Sequence, residues 1–208
     1  MIKAVIFDYN GILVNDAELH EYAYLKTAQE LKIPMTLEKI KSFISLAPEK
    51  KIKKYFNATE DMAEKILQIK NKYYYKAAEK VNIVIEGVPE VLNYLSKKYT
   101  LALVSNTLGE YFNKSFPKNL ASKFKETIFV DEIENPKPAP DALLKMAKKL
   151  GILKKECIYV GDSVTDSGTA KAAGIEYILI ASGNEKKEDL LKEGELVLDN
   201  IRELMEVL

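Results

Sequence analysis

A single cysteine, Cys157, in a chain of 208 residues excludes any disulfide framework and any cysteine-rich zinc site within one chain. Histidine is equally scarce. His20 alone argues against a multi-histidine metal centre and leaves little room for a Ser-His-Asp hydrolase. Arginine is confined to Arg202, a bias towards lysine that fits a thermophile or an AT-rich genome alike. Charge of one sign is not in excess: 31 basic side chains balance 31 acidic ones, so no global field draws in nucleic acid or an anionic membrane. No apolar run approaches the roughly 20 residues that span a bilayer. The run at the N-terminus is broken by Asp8 and lacks a cleavage site, so it does not read as a signal peptide. The expectation is a cytoplasmic protein with no membrane or nucleic-acid partner, working as a monomer or weak homo-oligomer. The length suits one compact domain, or one domain carrying an insertion.

What is present has a repeated format, an apolar strand that runs into a polar turn. Ala4 to Phe7 runs into Asp8, Leu101 to Val104 into Ser105 and Asn106, and Cys157 to Val160 into Gly161 and Asp162. Near-continuous apolar strands are buried on both faces, as in parallel sheets. Ile178 to Ile180 predicts a further strand and Glu195 to Asp199 a last one. Amphipathic helices lie between them. One starts at Pro89 with Val88, Val91, Leu92 and Leu95 on one face; another opens at Asp141 and carries Leu143, Leu144, Ala147 and Leu150. The alternation predicts an α/β fold with a doubly wound, Rossmann-like parallel sheet, whose ligands bind at the carboxyl ends of the strands. Asp8, Ser105 and Asp162 all fall at such ends.

Between about residues 15 and 82 the pattern turns helical. Asn15 with Glu18 resembles a capping box before a helix with Tyr24, Leu25, Ala28 and Leu31. Thr36 starts a short helix with Leu37, Ile40 and Ile44 aligned. Pro48 begins a third with Ile52 and Phe56, and Thr59 or Asp61 a long fourth with Met62, Ile66, Ile69 and Tyr73. The reading is a core of residues 1–14 and 83–208 with a helical cap of residues 15–82 over the site, hinged near 13–16 and 81–87.

Four segments then carry a resemblance: Asp8-Tyr9-Asn10-Gly11-Ile12-Leu13, Val104-Ser105-Asn106-Thr107, Pro136-Lys137-Pro138 and Gly161-Asp162-Ser163-Val164-Thr165-Asp166. In that order they resemble the haloacid dehalogenase-like hydrolases, in the helical-cap subgroup of phosphoglycolate phosphatases and beta-phosphoglucomutases. The resemblance covers nearly the whole chain. It implies a phosphatase of a small phosphorylated metabolite, with Asp8 forming an aspartyl phosphate and Mg²⁺ as cofactor.

The residue chemistry agrees. A carboxylate attacking a phosphate dianion needs positive charge concentrated at the phosphoryl group. Asp162 and Asp166, four apart on a strand-to-helix turn, offer hard oxygen ligands beside Asp8. Lys137 is a compact charge for Asp8 and the phosphoryl oxygens, and Ser105 and the Asn106 amide offer donors to them. The resemblance adds the backbone carbonyl of Asn10 as a metal ligand. Taken singly, each has a plainer reading: a turn or cap aspartate, a common Gly-Asp-Ser turn, a solvated loop lysine. Four in order outweigh those readings.

One position departs from the family. Its phosphatases and phosphomutases carry Asp two residues after the nucleophile, as general acid and base; here it is Asn10, which cannot carry the proton. A slow or specialised enzyme, an engineered trap, a phosphoester-binding or regulatory protein without turnover, and deamidation at Asn10-Gly11 all fit this residue. A sugar phosphomutase is the further alternative. His20 lies where related proteins often contact substrate, and Lys50 in the segment where such caps set specificity. Each has an ordinary alternative, a packing histidine and a solvated helix face. Of Tyr73, Tyr74 and Tyr75, one or two should enter the cap core.

Overall fold

The computed structural model describes residues 1–42, 48–183, 185–194 and 196–208, without the side chains of residues 48–51 and 60. In chain order, β1 (Ala4–Phe7) is followed by four helices: α1 (Ala17–Glu30), α2 (Leu37–Lys41), α3 (Pro48–Tyr55) and α4 (Glu60–Ala78). Then come α5 (Val88–Leu95), β2 (Thr100–Val104), α6 (Gly109–Ser115), α7 (Lys118–Ala121), β3 (Phe124–Ile128) and α8 (Asp141–Leu150). The chain continues through β4 (Cys157–Gly161), α9 (Val164–Ala173), β5 (Glu176–Ile180), α10 (Lys187–Leu190), β6 (Val197–Leu198) and α11 (Leu204–Val207). It divides into two compact units, one of Met1–Asn15 with Val84–Leu208 and one of Asp16–Ile83. No helix among the described residues is long and apolar enough to cross a membrane.

The first unit is an α/β fold, a six-stranded, all-parallel sheet in the order β3-β2-β1-β4-β5-β6. This is the doubly wound order, in which the strand sequence reverses beside β1 and leaves a crevice at the carboxyl ends of β1 and β4. Register makes those ends level: Phe7 pairs with Leu103 on one side and with Val160 on the other. β1 and β4 are buried along their whole length, as their apolar runs require. α5 buries the four residues of its predicted stripe. In α8 the stripe is rotated: Ala142, Leu143, Met146 and Ala147 are buried, while Leu144 is 38% exposed. Leu143 and Ala147 of the predicted stripe are buried, and Ala142 and Met146 join them in place of Leu144.

β3 has no counterpart in the sequence reading. Its residues Phe124 to Ile128 include Lys125 and Glu126, and it forms one edge of the sheet, where charged side chains are tolerated and discourage further pairing. The last strand is shorter than predicted, Val197–Leu198, and Glu195 lies outside the described residues.

The second unit packs α1 against α4, around Tyr24, Ala28, Ile40, Ile52, Phe56, Ala63 and Ile66. Thr36 caps α2 as its position predicts, accepting the Lys39 N–H at 3.2 Å. Ile44 lies outside the described residues. Two expectations fail. Asn15 and Glu18 form no capping box: Asp16 precedes α1 and caps nothing with its side chain, which instead accepts the Tyr74 hydroxyl at 2.6 Å. On α4 the buried face is Ala63, Ile66, Lys70 and Tyr74, and Met62 is 49% exposed. A buried lysine disguised that face, and apolar residues beside it suggested a stripe about one residue out of phase.

Candidate active site

The chain leaves β1 at Asp8, β2 at Ser105 and β4 at Asp162, so three elements bring their first polar residues to one edge of the sheet. Asp8 is held in line by its N–H, which donates to the Val160 carbonyl at 2.9 Å; the Ser105 N–H does the same to Ile128 at 3.0 Å. Asp166 sits in the first turn of α9, whose N-cap Ser163 accepts the Asp166 N–H at 3.2 Å. Lys137 comes from the loop before α8. Its backbone N–H donates to Asn106 Oδ1 at 3.0 Å, and Asn106 Nδ2 donates to its carbonyl at 3.1 Å. The Asn106 side chain therefore holds the Lys137 backbone from both sides.

The Lys137 ammonium lies 2.9 Å from Asp8 Oδ1, 2.6 Å from Asp166 Oδ1 and 3.0 Å from the Tyr159 hydroxyl. Tyr159 in turn donates to Asp166 Oδ1 at 2.9 Å, and Ser163 Oγ to Asp166 Oδ2 at 2.5 Å. Asp166 is thus held from several sides. Burial alone would push its carboxyl up, but the adjacent Lys137 charge and these donors outweigh that and hold it below the usual range. Burial lowers the Lys137 ammonium, yet Asp166 and Asp8 together raise it above its ordinary value. Asp8 goes the other way, to about 6, because burial outweighs Lys137 and Asp166 repels its charge. Asp162 rises to about 8 through burial and repulsion by Asp8 and Asp166.

Oxygens of Asp8, Asp162 and Asp166 lie within 4.8 Å of one another, with one ammonium among them. Asp8 Oδ1 is buried and, although ion-paired, receives no aligned hydrogen bond. Gly11, at φ +78°, and Gly183 flank the Asp162 carboxylate so closely that a Cβ on either would collide with it. Three converging carboxylates that share a single ammonium, and a cradle that a Cβ would fill, fit a hard divalent cation. A prediction follows from the two raised carboxyls. Between about pH 4, where an unfolded aspartate ionises, and about pH 8, the folded state keeps protons that the unfolded chain has lost, so metal-free stability should fall as pH rises. The fall should be on the order of a few kcal/mol, and a divalent cation should reverse it. Thermal denaturation after EDTA treatment at about pH 5 and about pH 9 reads this directly; stability rising over that range would refute it.

Two contributors escaped the sequence reading. Tyr159 looks like any apolar strand residue, and only its buried hydroxyl between Lys137 and Asp166 distinguishes it. Thr107 ends its own motif: its N–H donates to Ser105 Oγ at 3.2 Å and its hydroxyl donates to Asn10 Oδ1. His20, expected against substrate, has both ring nitrogens occupied inside the second unit, Nδ1 by Lys70 Nζ at 2.6 Å and Nε2 by Asp16 Oδ2 at 3.3 Å. Within its own unit the ring serves a buried polar cluster. Lys50 belongs to α3, and its side chain lies outside the described residues.

The sequence pattern of the haloacid dehalogenase-like hydrolases matches residues 5–180, most of the chain and all four motif segments. The chain belongs to that family. As a member it is an enzyme, a hydrolase of the phosphatase type. It is 27% identical over 214 aligned positions, covering 100% of this chain and 98% of the relative, to the phosphorylated carbohydrates phosphatase of Thermotoga maritima. To the phosphoglycolate phosphatase of Pseudomonas savastanoi pv. phaseolicola it is 26% identical, over 98% of this chain and 78% of that one. Its fold is shared with CbbY from Rhodobacter sphaeroides in complex with phosphate, at a TM-score of 0.84 and 19% identity, over 98% and 96% of the two chains.

Proposed function

We propose that this hydrolase is a phosphatase of a small phosphorylated metabolite, that Asp8 takes up the phosphoryl group, and that its cation is Mg²⁺. The observation that carries the reading is the Asp8 carboxylate at the end of β1, paired with a buried lysine and facing two further carboxylates. A carboxylate at that place can attack phosphorus and form an acyl phosphate, which water then opens. Lys137 neutralises charge on Asp8 and on the phosphoryl oxygens. Ser105 accepts the Thr107 N–H, so its own hydroxyl proton is free to point at one of those oxygens. Asp8, Asp162, Asp166 and the Asn10 carbonyl would hold the cation, which supplies charge neutralisation for a dianionic substrate. Asn106 keeps Lys137 in place.

Phosphate release from a panel of small phosphorylated compounds, with Mg²⁺ and with EDTA, tests this. Release that requires the cation is expected. Calorimetric binding of Mg²⁺ and of a phosphoester with no release from any compound would overturn it in favour of a phosphoester-binding protein.

A further inference from the structure

The acidic protons at this site are already committed, and that constrains what can leave. The Lys137 ammonium faces Asp8, Asp166 and the Tyr159 hydroxyl, and Tyr159 gives its own proton to Asp166. The Thr107 hydroxyl is donated to Asn10 Oδ1. That bond fixes the Asn10 carboxamide, which can offer N–H hydrogen bonds but has no proton to release. Ser105 carries an alcohol, which is no acid at neutral pH. His20, the chain's one imidazole, is occupied by Lys70 and Asp16. Among the described residues of the core unit, the carboxylates assigned to the cation apart, no group stands ready to protonate a departing oxygen.

We infer that the substrates are anhydrides of phosphoric acid, acyl phosphates or phosphoanhydrides, whose leaving group departs as a stable anion, rather than phosphate esters of alcohols. This rests on the reading of Asp8 as the phosphoryl acceptor. In the first step an Asp8 oxygen bonds to phosphorus as the bond to the leaving oxygen breaks. The electron pair goes with that oxygen, which leaves as a carboxylate or phosphate and needs no proton. In the second, water oxygen bonds to phosphorus, the Asp8–phosphorus bond breaks with its electron pair returning to the carboxylate, and the water proton passes to solvent. An alcohol departing from an ester would have to leave as an alkoxide. Protonation by a positioned group, which lowers that barrier, is typically worth about 10² to 10⁴ in rate and matters most for basic leaving groups.

The test compares acetyl phosphate, a series of aryl phosphates of graded leaving-group acidity, and glycerol phosphate. It uses protein whose intact Asn10 amide is verified by peptide mass, and the Asn10→Asp variant. For the natural chain kcat/KM should fall steeply along the series, with acetyl phosphate at least about 10³-fold better than glycerol phosphate. Asn10→Asp should raise glycerol phosphate turnover by about 10² or more relative to acetyl phosphate, so that the slope flattens. A merely structural effect of the substitution would move both substrates together. Glycerol phosphate turned over within about tenfold of acetyl phosphate by the natural chain would overturn the anhydride assignment and leave the phosphatase reading standing. No release from any compound by either protein would remove the phosphatase reading and this inference with it.

Discussion

Asp8→Asn should lower phosphate release by about 10⁴-fold or more while the protein stays folded. The substitution keeps the shape of a nearly enclosed side chain and removes only the negative oxygen proposed to attack phosphorus. A neutral carboxamide oxygen is too weak a nucleophile to replace it. Folding should not suffer, because Asp8 is ionised at a cost: burial and Asp166 already drive its carboxyl to about 6. Removing one of three facing carboxylates should leave metal-free stability equal or higher at about pH 9 and should flatten its dependence on pH. Three readouts therefore move in different directions, with activity lost, metal-free stability kept, and cation binding weakened. Activity retained within about tenfold would show that another group takes the phosphoryl. Lost activity with lost folding would instead make Asp8 a structural residue.

The sheet and the charged site were legible for one physical reason. Strands buried on both faces cannot hide polar residues, so the first ionisable residue after each run marks the strand end, and Asp8, Ser105 and Asp162 were marked in that way. What escaped was either disguised or tertiary. Edge position frees β3 from the apolar pattern, so Lys125 and Glu126 concealed it. Lys70 concealed the inner face of α4 because a lysine can be buried when its ammonium meets an imidazole and the faces of Tyr24 and Tyr74. Asp16 precedes α1 without capping it because its side chain is taken by His20 and by Tyr74, 58 residues away. Tyr159 and Thr107 carry no local signal at all; their roles exist only once β4, the Lys137 loop and the turn after β1 converge. The same convergence gives Asn106 a second use, as the clamp on Lys137.

Lys137 is where stability and chemistry meet, and Lys137→Met should damage both. The methionine would fill the channel of the lysine stem but leave Asp8 and Asp166 buried without their counter-ion. Breaking a buried pair from one side costs about 3 to 5 kcal/mol, because the remaining charge is stranded. The loss should depend on pH. Near about pH 4, where an unfolded aspartate is itself half protonated, the stranded carboxyls take up protons at little cost and the penalty shrinks; it grows as pH rises above that. Saturating divalent cation should recover part of the stability, since it offers the same carboxylates another positive charge. Phosphate release should stay at least about 10²-fold down even then, because in the proposed reaction the ammonium also neutralises the phosphoryl oxygens. Adding Asp166→Asn to Lys137→Met should restore folding without restoring turnover, since it removes the more tightly held of the two stranded charges. Denaturation across pH, with and without cation, separates these effects. A Lys137→Met protein as stable as the parent at every pH would mean that the three carboxylates find their balance without the lysine, and the electrostatic account of the site would fall.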